Sequence, residues 1–363
     1  MSMRTPRTSW PRGRSLLAVV ALLFAGCVHI GPSTVARDRF DFATAVAESW
    51  KQQTLLSIVK MRYLDVPVFL DVGQIVSGYT LETGVDLSGQ IAPINRGDSF
   101  GGLGGHSIFT DRPTITYTPM TGDKFLRGLI SPIPTAAILG TLQAGYAADF
   151  LLGWTIESLN GLQNRTIAPG VARAADPKFV RALQLMREIQ TAGGVTLGVE
   201  KEKDKGEATV AVFRADNLRP ATLEKSAELR RLLGLPIKQL QFEVVTSPGR
   251  APAGQLALQP RSLIQIMQAI GAYVEVPPEH LAQHWAMPGV ESADDDGESQ
   301  IRIRQSRDKP AHAYASVRYQ GHWFWIDQSD WRAKRALALV ILLFTLTNSG
   351  AGEQLPVLTI PTS

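Results

Sequence analysis

The sequence predicts an α+β fold, built as two or three modules of helices with mostly antiparallel strands. Runs at helical spacing and short alternating runs follow one another along the chain. Several strand pairs are neighbours in sequence across turn-forming residues, which favours antiparallel pairing. The chain has 363 residues and is 44% hydrophobic, enough for a sizeable core. The single cysteine rules out a disulfide within one chain, so that core has to hold the fold.

The elements follow in order. Residues 41–63 carry Ala43, Val46, Trp50, Leu55, Ile58 and Val59 near helical spacing, and Pro67 ends the pattern. VFLDV, 68–72, is strand-like. The segment 95–107, NRGDSFGGLGGHS, is expected to be a glycine-rich loop, and PTITYTP, 113–119, a short strand. Residues 121–145 read as helix with a break at SPIP, 131–134. The run LLGWTIESLNGL, 151–162, is open between strand and buried helix. Pro177 opens a helix that Gly193 closes, and Pro220 opens another with Gly234 near its end. VTLGVE and EATVAVFR flank the charged turn KEKDKG, and IKQLQFEVV is an alternating strand. Residues 255–258 form a further strand, and 261–274 a helix. The acidic stretch 289–299 lacks large apolar groups and is expected to be mobile. IRIRQ, AYASVRY and HWFWI are strands, the last two joined at Gln320-Gly321. A buried helix over 328–347 ends the pass, with Asp327 as its expected N-cap and Asp330 in its first turn. It is apolar nearly all round but too short to span a bilayer, so burial against the sheet holding Trp323 and Trp325 is expected.

The N-terminus carries the most specific signal. Arg4, Arg7, Arg12 and Arg14 precede a short apolar run, Leu16 to Phe24, then Ala25-Gly26 and Cys27. This resembles bacterial lipoprotein signal peptides, with Phe24 standing where that family prefers Leu. The resemblance implies cleavage before Cys27 and acylation of its thiol, hence a membrane partner held through lipid. Val28 replaces the Asp that retains enteric lipoproteins at the inner membrane, which implies the outer membrane facing the periplasm. The expected organisation is then signal 1–26, lipidated Cys27 and tether 27–40, and modules 41–166, 167–248 and 249–363. Residues 37–72 and 319–347 also resemble a group of bacterial predicted lipoproteins of unknown function, a resemblance that carries over no catalytic residue.

Charge excludes one class of partner. Without the four signal arginines, 37 − 4 = 33 basic residues face 33 acidic ones. A neutral chain has no electrostatic footprint for nucleic acid. No sequence feature implies a cofactor.

The site candidates are few. His280 and His284 have the four-residue spacing that puts two metal ligands on one helix face. The glutamate that a zinc-protease motif places after the first histidine is Leu281 here, and a plain polar helix explains the pair as well. GGLGG, 101–105, lacks the Gly-Lys-Ser/Thr of a phosphate loop. His322, Asp327 and Asp330 lie close in sequence as catalytic candidates, although helix capping accounts for both carboxylates. Trp323 and Trp325 share one strand face, either core or an aromatic surface for a partner. With no complete catalytic constellation, the expected function is a non-enzymatic envelope scaffold or assembly factor that binds other envelope proteins. The alternative is a periplasmic enzyme acting on envelope material through His322, Asp327 or the His280/His284 pair.

Overall fold

The computed structural model describes residues 31–348 except 77–78, 91–99, 122, 169–170, 203–205 and 288–300. The expected signal, Cys27, the acidic stretch 289–299 and the middle of the KEKDKG turn lie outside the described residues. The fold is α+β. The chain divides into two compact units whose boundary, between Ser49 and Trp50, falls inside the first helix.

Helix α1 (Gly31–Arg62) starts upstream of the expected Asp41, within the segment expected to be a tether. Pro32 sits in its first turn, where a missing N–H is tolerated. Its end is a Schellman motif: Leu64 takes a left-handed φ of 61°, the Asp65 N–H donates to the Lys60 carbonyl at 2.9 Å, and Pro67 follows. In the second unit, a ribbon is built from β1 (Phe69–Val76), β2 (Tyr79–Gln90), β3 (Phe100–Asp111) and β4 (Thr114–Met120). β1 pairs antiparallel with β4, and β2 with β3. The glycine-rich segment expected to be a loop is therefore largely a strand, from Phe100 onward. Pairing overrides the low strand propensity of glycine, and at Gly84, opposite His106, a Cβ would meet the imidazole, which would have to move aside.

Helices α2 (Asp123–Ile130) and α3 (Thr135–Gln143) flank the expected break at SPIP. The ambiguous run 151–162 is both things in turn: α4 (Ala148–Thr155) passes directly into β5 (Ile156–Leu159), then β6 (Leu162–Gln163). A small hairpin follows, β7 (Thr166–Ala168) with β8 (Val171–Arg173). Then come α5 (Pro177–Thr191), β9 (Val195–Glu202), β10 (Gly206–Phe213), α6 (Pro220–Leu232), β11 (Gln241–Thr246) and β12 (Gln255–Pro260). Gly193 and Gly234 close α5 and α6 with φ of 72° and 65°, conformations that a side chain would strain.

The main sheet has the order β6-β5-β12-β11-β10-β9, with only β11 and β12 parallel. It draws strands from all three stretches expected as modules. The short link between the parallel strands is pinned by buried Asn160, whose Oδ1 accepts from the Ala251 and Ala257 N–H groups, each at 3.1 Å. Buried Arg261, at the end of β12, ties β5 to the segment that leads into β7. Its Nε donates to Glu157 Oε2 at 2.7 Å, and its fork also reaches the Arg165 carbonyl. α7 (Leu263–Gly271) opens with a Ser262–Gln265 capping box.

The last elements are α8 (Pro278–Ala282), β13 (Arg304–Ser306), β14 (Ala313–Tyr319), β15 (His322–Asp327) and α9 (Trp331–Asn348). The Gln320-Gly321 turn joins β14 to β15 with both residues at positive φ, 45° and 81°. α9 is buried along Leu337, Val340, Leu343 and Phe344, as its spacing predicts. Its N-cap is Asp330 rather than Asp327: Asp330 Oδ1 accepts from the Ala333 N–H at 2.9 Å. Asp327 instead closes the preceding turn, accepting from the Ser329 N–H at 2.8 Å. The main helical neighbours of α9 are α7 and α2, and Phe344 stacks on Phe69 at the base of the ribbon with ring centres 4.9 Å apart.

Candidate functional site

The ribbon is the least explained part of the fold. In its lower part, Leu70 faces Pro119, Val72 faces Tyr117 and Ile75 faces Ile115. Strand side chains alternate, so Val72 and Ile75 would normally point to opposite faces. A bulge between Val72 and Gln74 inserts one residue and restores them to one face. That face is apolar yet open to solvent: Leu70 is 42%, Ile115 39% and Tyr117 57% exposed. The other face carries Asp71, Thr116 and Thr118.

The register is preserved further up. Val76 opposes Thr114 and Tyr79 opposes Asp111, so both strands advance by the same number of residues between the lower and upper pairs. β2 and β3 then stay in register from Tyr79 with Asp111 to Gln90 with Phe100. Among the described residues, neither pair of strands has a further strand partner, so both ribbon edges are open. Reading the sequence for loops hides this element. The signal that could have found it is the alternation of YTLETGVDLSGQ, which is weak because Thr83 and Gly89 interrupt its apolar positions.

The second feature is a histidine cluster. α8 is short and ends in a Schellman motif: His284 sits at the left-handed position with φ 57°, and the Trp285 N–H donates to the His280 carbonyl at 2.9 Å. The helical spacing of His280 and His284 is therefore lost, with His280 buried and His284 exposed. His280 meets His322 instead, ring centres 5.0 Å apart, and packs against Trp285 at 4.8 Å. The Tyr63 hydroxyl lies 2.8 Å from His280 Nδ1. Burial pushes the Tyr63 phenol up to about 12, a shift that the Arg62 charge opposes and Glu279 reinforces. Burial and the nearby His322 lower the His280 pKa, against the pull of Glu279. Both shifts favour the hydroxyl donating to a neutral imidazole. Glu279 Oε1 is 3.5 Å from His322 Nε2 and accepts from Arg307 at 3.2 Å. Its own backbone hydrogen bond, then Arg307, hold its carboxyl below the usual range.

This cluster joins the end of α1, α8 and the β14–β15 hairpin. Sequence reading named both buried histidines but assigned each to a different group, because nothing local links residues so far apart. The group does not include the carboxylates: His322 and Asp327 occupy opposite ends of β15 and, by alternation, opposite faces. Among the described residues no three His, Cys, Asp or Glu side chains converge as metal ligands. A cleft of about 300 Å³ is lined by Lys178, Glu228, Arg231, Leu232 and Arg250, and by none of the histidines.

Trp323 and Trp325 lie on the half-exposed face of β15, while His322, Phe324 and Ile326 are buried beneath. The sheet's inner face is thus the one that sequence reading set opposite the tryptophans. Alternation alone makes the two faces equally apolar, and packing decides between them: Phe324 meets Tyr63 with ring centres 5.9 Å apart. Outside, the Arg304 guanidinium covers Trp325 at 5.4 Å and Lys309 covers Trp323 at 5.5 Å. The tryptophan face is closed by cations, whereas the ribbon's apolar face is not closed by anything equivalent among the described residues.

Compared with family models, curated proteins and solved structures, the chain finds no match.

Proposed function

We propose that this protein is an envelope lipoprotein, held to a membrane through acylated Cys27, that acts as a non-enzymatic assembly factor. The observation that carries this reading is the β1–β4 pair, whose edges are open among the described residues and whose apolar face, with Leu70, Ile115 and Tyr117, is exposed. Open edges and uncovered apolar faces are liabilities in a monomer and are the features that pairing uses. The signal-like residues 4–27 support the lipid anchor, and Val28 supports an outer-membrane position facing the periplasm.

The enzyme reading draws less support. The Tyr63 phenol is pushed away from neutrality, the opposite of an activated nucleophile, and His280 is occupied by Tyr63, Trp285 and His322. The cluster fits a polar clasp better than a proton relay open to substrate.

The test is in cells. Cys27→Ser is expected to release the protein from membranes or leave an uncut precursor, with mass spectrometry of the N-terminus as readout. A photo-crosslinking residue at Tyr117 is expected to capture protein partners, and one at Val180, exposed on α5, to capture few. Equal capture at both positions, or a mature N-terminus without lipid, refutes the proposal.

A further inference from the structure

We propose that the cleft between α5, α6 and the link from β11 to β12 binds a phosphate group, carried by a small phosphomonoester or by a lipid headgroup. The site is independent of the assembly reading.

Its lining comes from three elements. Lys178 stands in the first turn of α5, Glu228, Arg231 and Leu232 lie in the last turns of α6, and Arg250 lies on the link. The backbone that carries Arg250 is tied down on both sides. Buried Asn160 donates to the Leu233 carbonyl at the end of α6 and accepts from the Ala251 N–H at 3.1 Å. The Ser158 hydroxyl donates to the Pro248 carbonyl at 3.2 Å. Gly234 ends α6 at positive φ, and the Arg250 guanidinium lies over it: a Cβ there would come within 2.9 Å of Arg250 Cζ. The guanidinium is thus set beside the last turn of α6, close to Arg231. A helix C-terminus is the negative end of its dipole and favours a cation at that place.

Charge decides what the cleft accepts. Glu228 is the one carboxylate among the lining residues, and it is committed. Arg181 donates to both of its oxygens, Nε at 2.8 Å and Nη2 at 3.1 Å. That hydrogen bonding holds the Glu228 carboxyl below its usual range, so the pair stays ionised and mutually neutral. Lys178, Arg231 and Arg250 are exposed at the rim and make no ion pair among the described residues. Three cations around one concavity repel one another and set up a field that draws in anions.

An anion with more than one charge relieves that repulsion best. A phosphomonoester carries about −1.5 to −2 charges near neutral pH and offers three acceptor oxygens. A carboxylate carries one charge. Guanidinium forks match phosphate oxygens in pairs, and lysine adds a point charge. The volume of about 300 Å³ is at the small end for ligand clefts. Leu232 is the only apolar residue of the lining, so the fit is to a small and mostly ionic group.

The experiment uses the full chain in nonionic detergent at about 0.15 M salt, where exposed charges more than about 8 Å apart are screened. Titration calorimetry compares glycerol phosphate, phosphatidylcholine micelles with and without phosphatidic acid, and acetate as the single-charge control. A phosphate probe is expected to bind about tenfold or more tightly than acetate. Binding of glycerol phosphate assigns a free phosphomonoester; binding of the phosphatidic acid micelles alone assigns a headgroup. Arg250→Gln and Lys178→Gln are each expected to weaken binding about tenfold or more, as loss of one charge-assisted hydrogen bond. Arg318, exposed on β14, is not among the cleft's lining residues. Arg318→Gln removes the same charge and is expected to leave binding unchanged. Thermal melting without ligand is expected to match wild type in all three variants, which shows that each is folded. No binding of either phosphate probe, acetate binding as tightly, or equal losses from Arg318→Gln and Arg250→Gln overturns the proposal.

Discussion

Replacing Phe344 with alanine asks how the ribbon is fastened to the body. Phe344 is 2% exposed. Its ring lies 4.9 Å from Phe69, 5.3 Å from Trp50 and 6.1 Å from Phe125. One side chain of α9 thus holds α1, the base of β1 and α2. Truncating a buried Phe to Ala costs about 3–5 kcal/mol through lost transfer energy and the cavity left behind. Ring pairs add about 0.5–1.5 kcal/mol each beyond area, so Phe344→Ala belongs at the upper end, about 4–5 kcal/mol. That is a large part of a typical domain stability of about 5–15 kcal/mol. Phe344→Leu keeps most of the volume and is expected to cost less, about 1–2 kcal/mol. The assay is urea unfolding of the chain from residue 31, followed by tryptophan fluorescence, with amide exchange on the same samples. The amide of Leu70, which donates to Gln53 Oε1 at 2.9 Å beside Phe69, is expected to lose protection in Phe344→Ala. A loss of stability below about 1 kcal/mol, or unchanged protection at Leu70, refutes the reasoning that this ring carries the joint.

Three further outcomes are expected. The lowered pKa of buried His280 means that the unfolded chain takes up its proton more readily. Its contribution to stability is full above about pH 6.5 and is lost as pH falls from there toward the depressed folded value. Urea midpoints should therefore fall with pH in that window, and His280→Asn should flatten the slope; an equally steep slope in the variant speaks against the assignment. Asp330→Ala should cost about 1 kcal/mol as loss of an N-cap, and Asp327→Ala less, and the reverse order in thermal or urea unfolding would restore Asp327 as the cap. Arg261→Met leaves Glu157 without its 2.7 Å partner in a largely buried site, which should cost about 3–5 kcal/mol; a neutral result in urea unfolding would mean that Arg173, 3.1 Å away, suffices alone.

Punctuation was legible because it acts locally. Pro177, Gly193, Pro220, Gly234 and Gln320-Gly321 mark the element ends where the structure has them, each through its own backbone preference. The same local logic misplaced the α9 cap by three residues, because Asp327 and Asp330 both precede the helix and only the path of the turn separates them. It also misread the glycine-rich segment. Glycine signals freedom, and the partner strand β2 removes that freedom.

By itself, then, the sequence determined an α+β chain, the helices that Pro177 and Pro220 open, the β14–β15 hairpin and the buried stripe of α9, since each follows from propensity and periodicity within a short window. The tertiary structure decided which face of β15 turns inward, that His280 meets His322 and not His284, and that the glycine-rich segment pairs with β2 as a strand. These are choices between arrangements that satisfy the local pattern equally well, and only contacts between distant residues give them different energies.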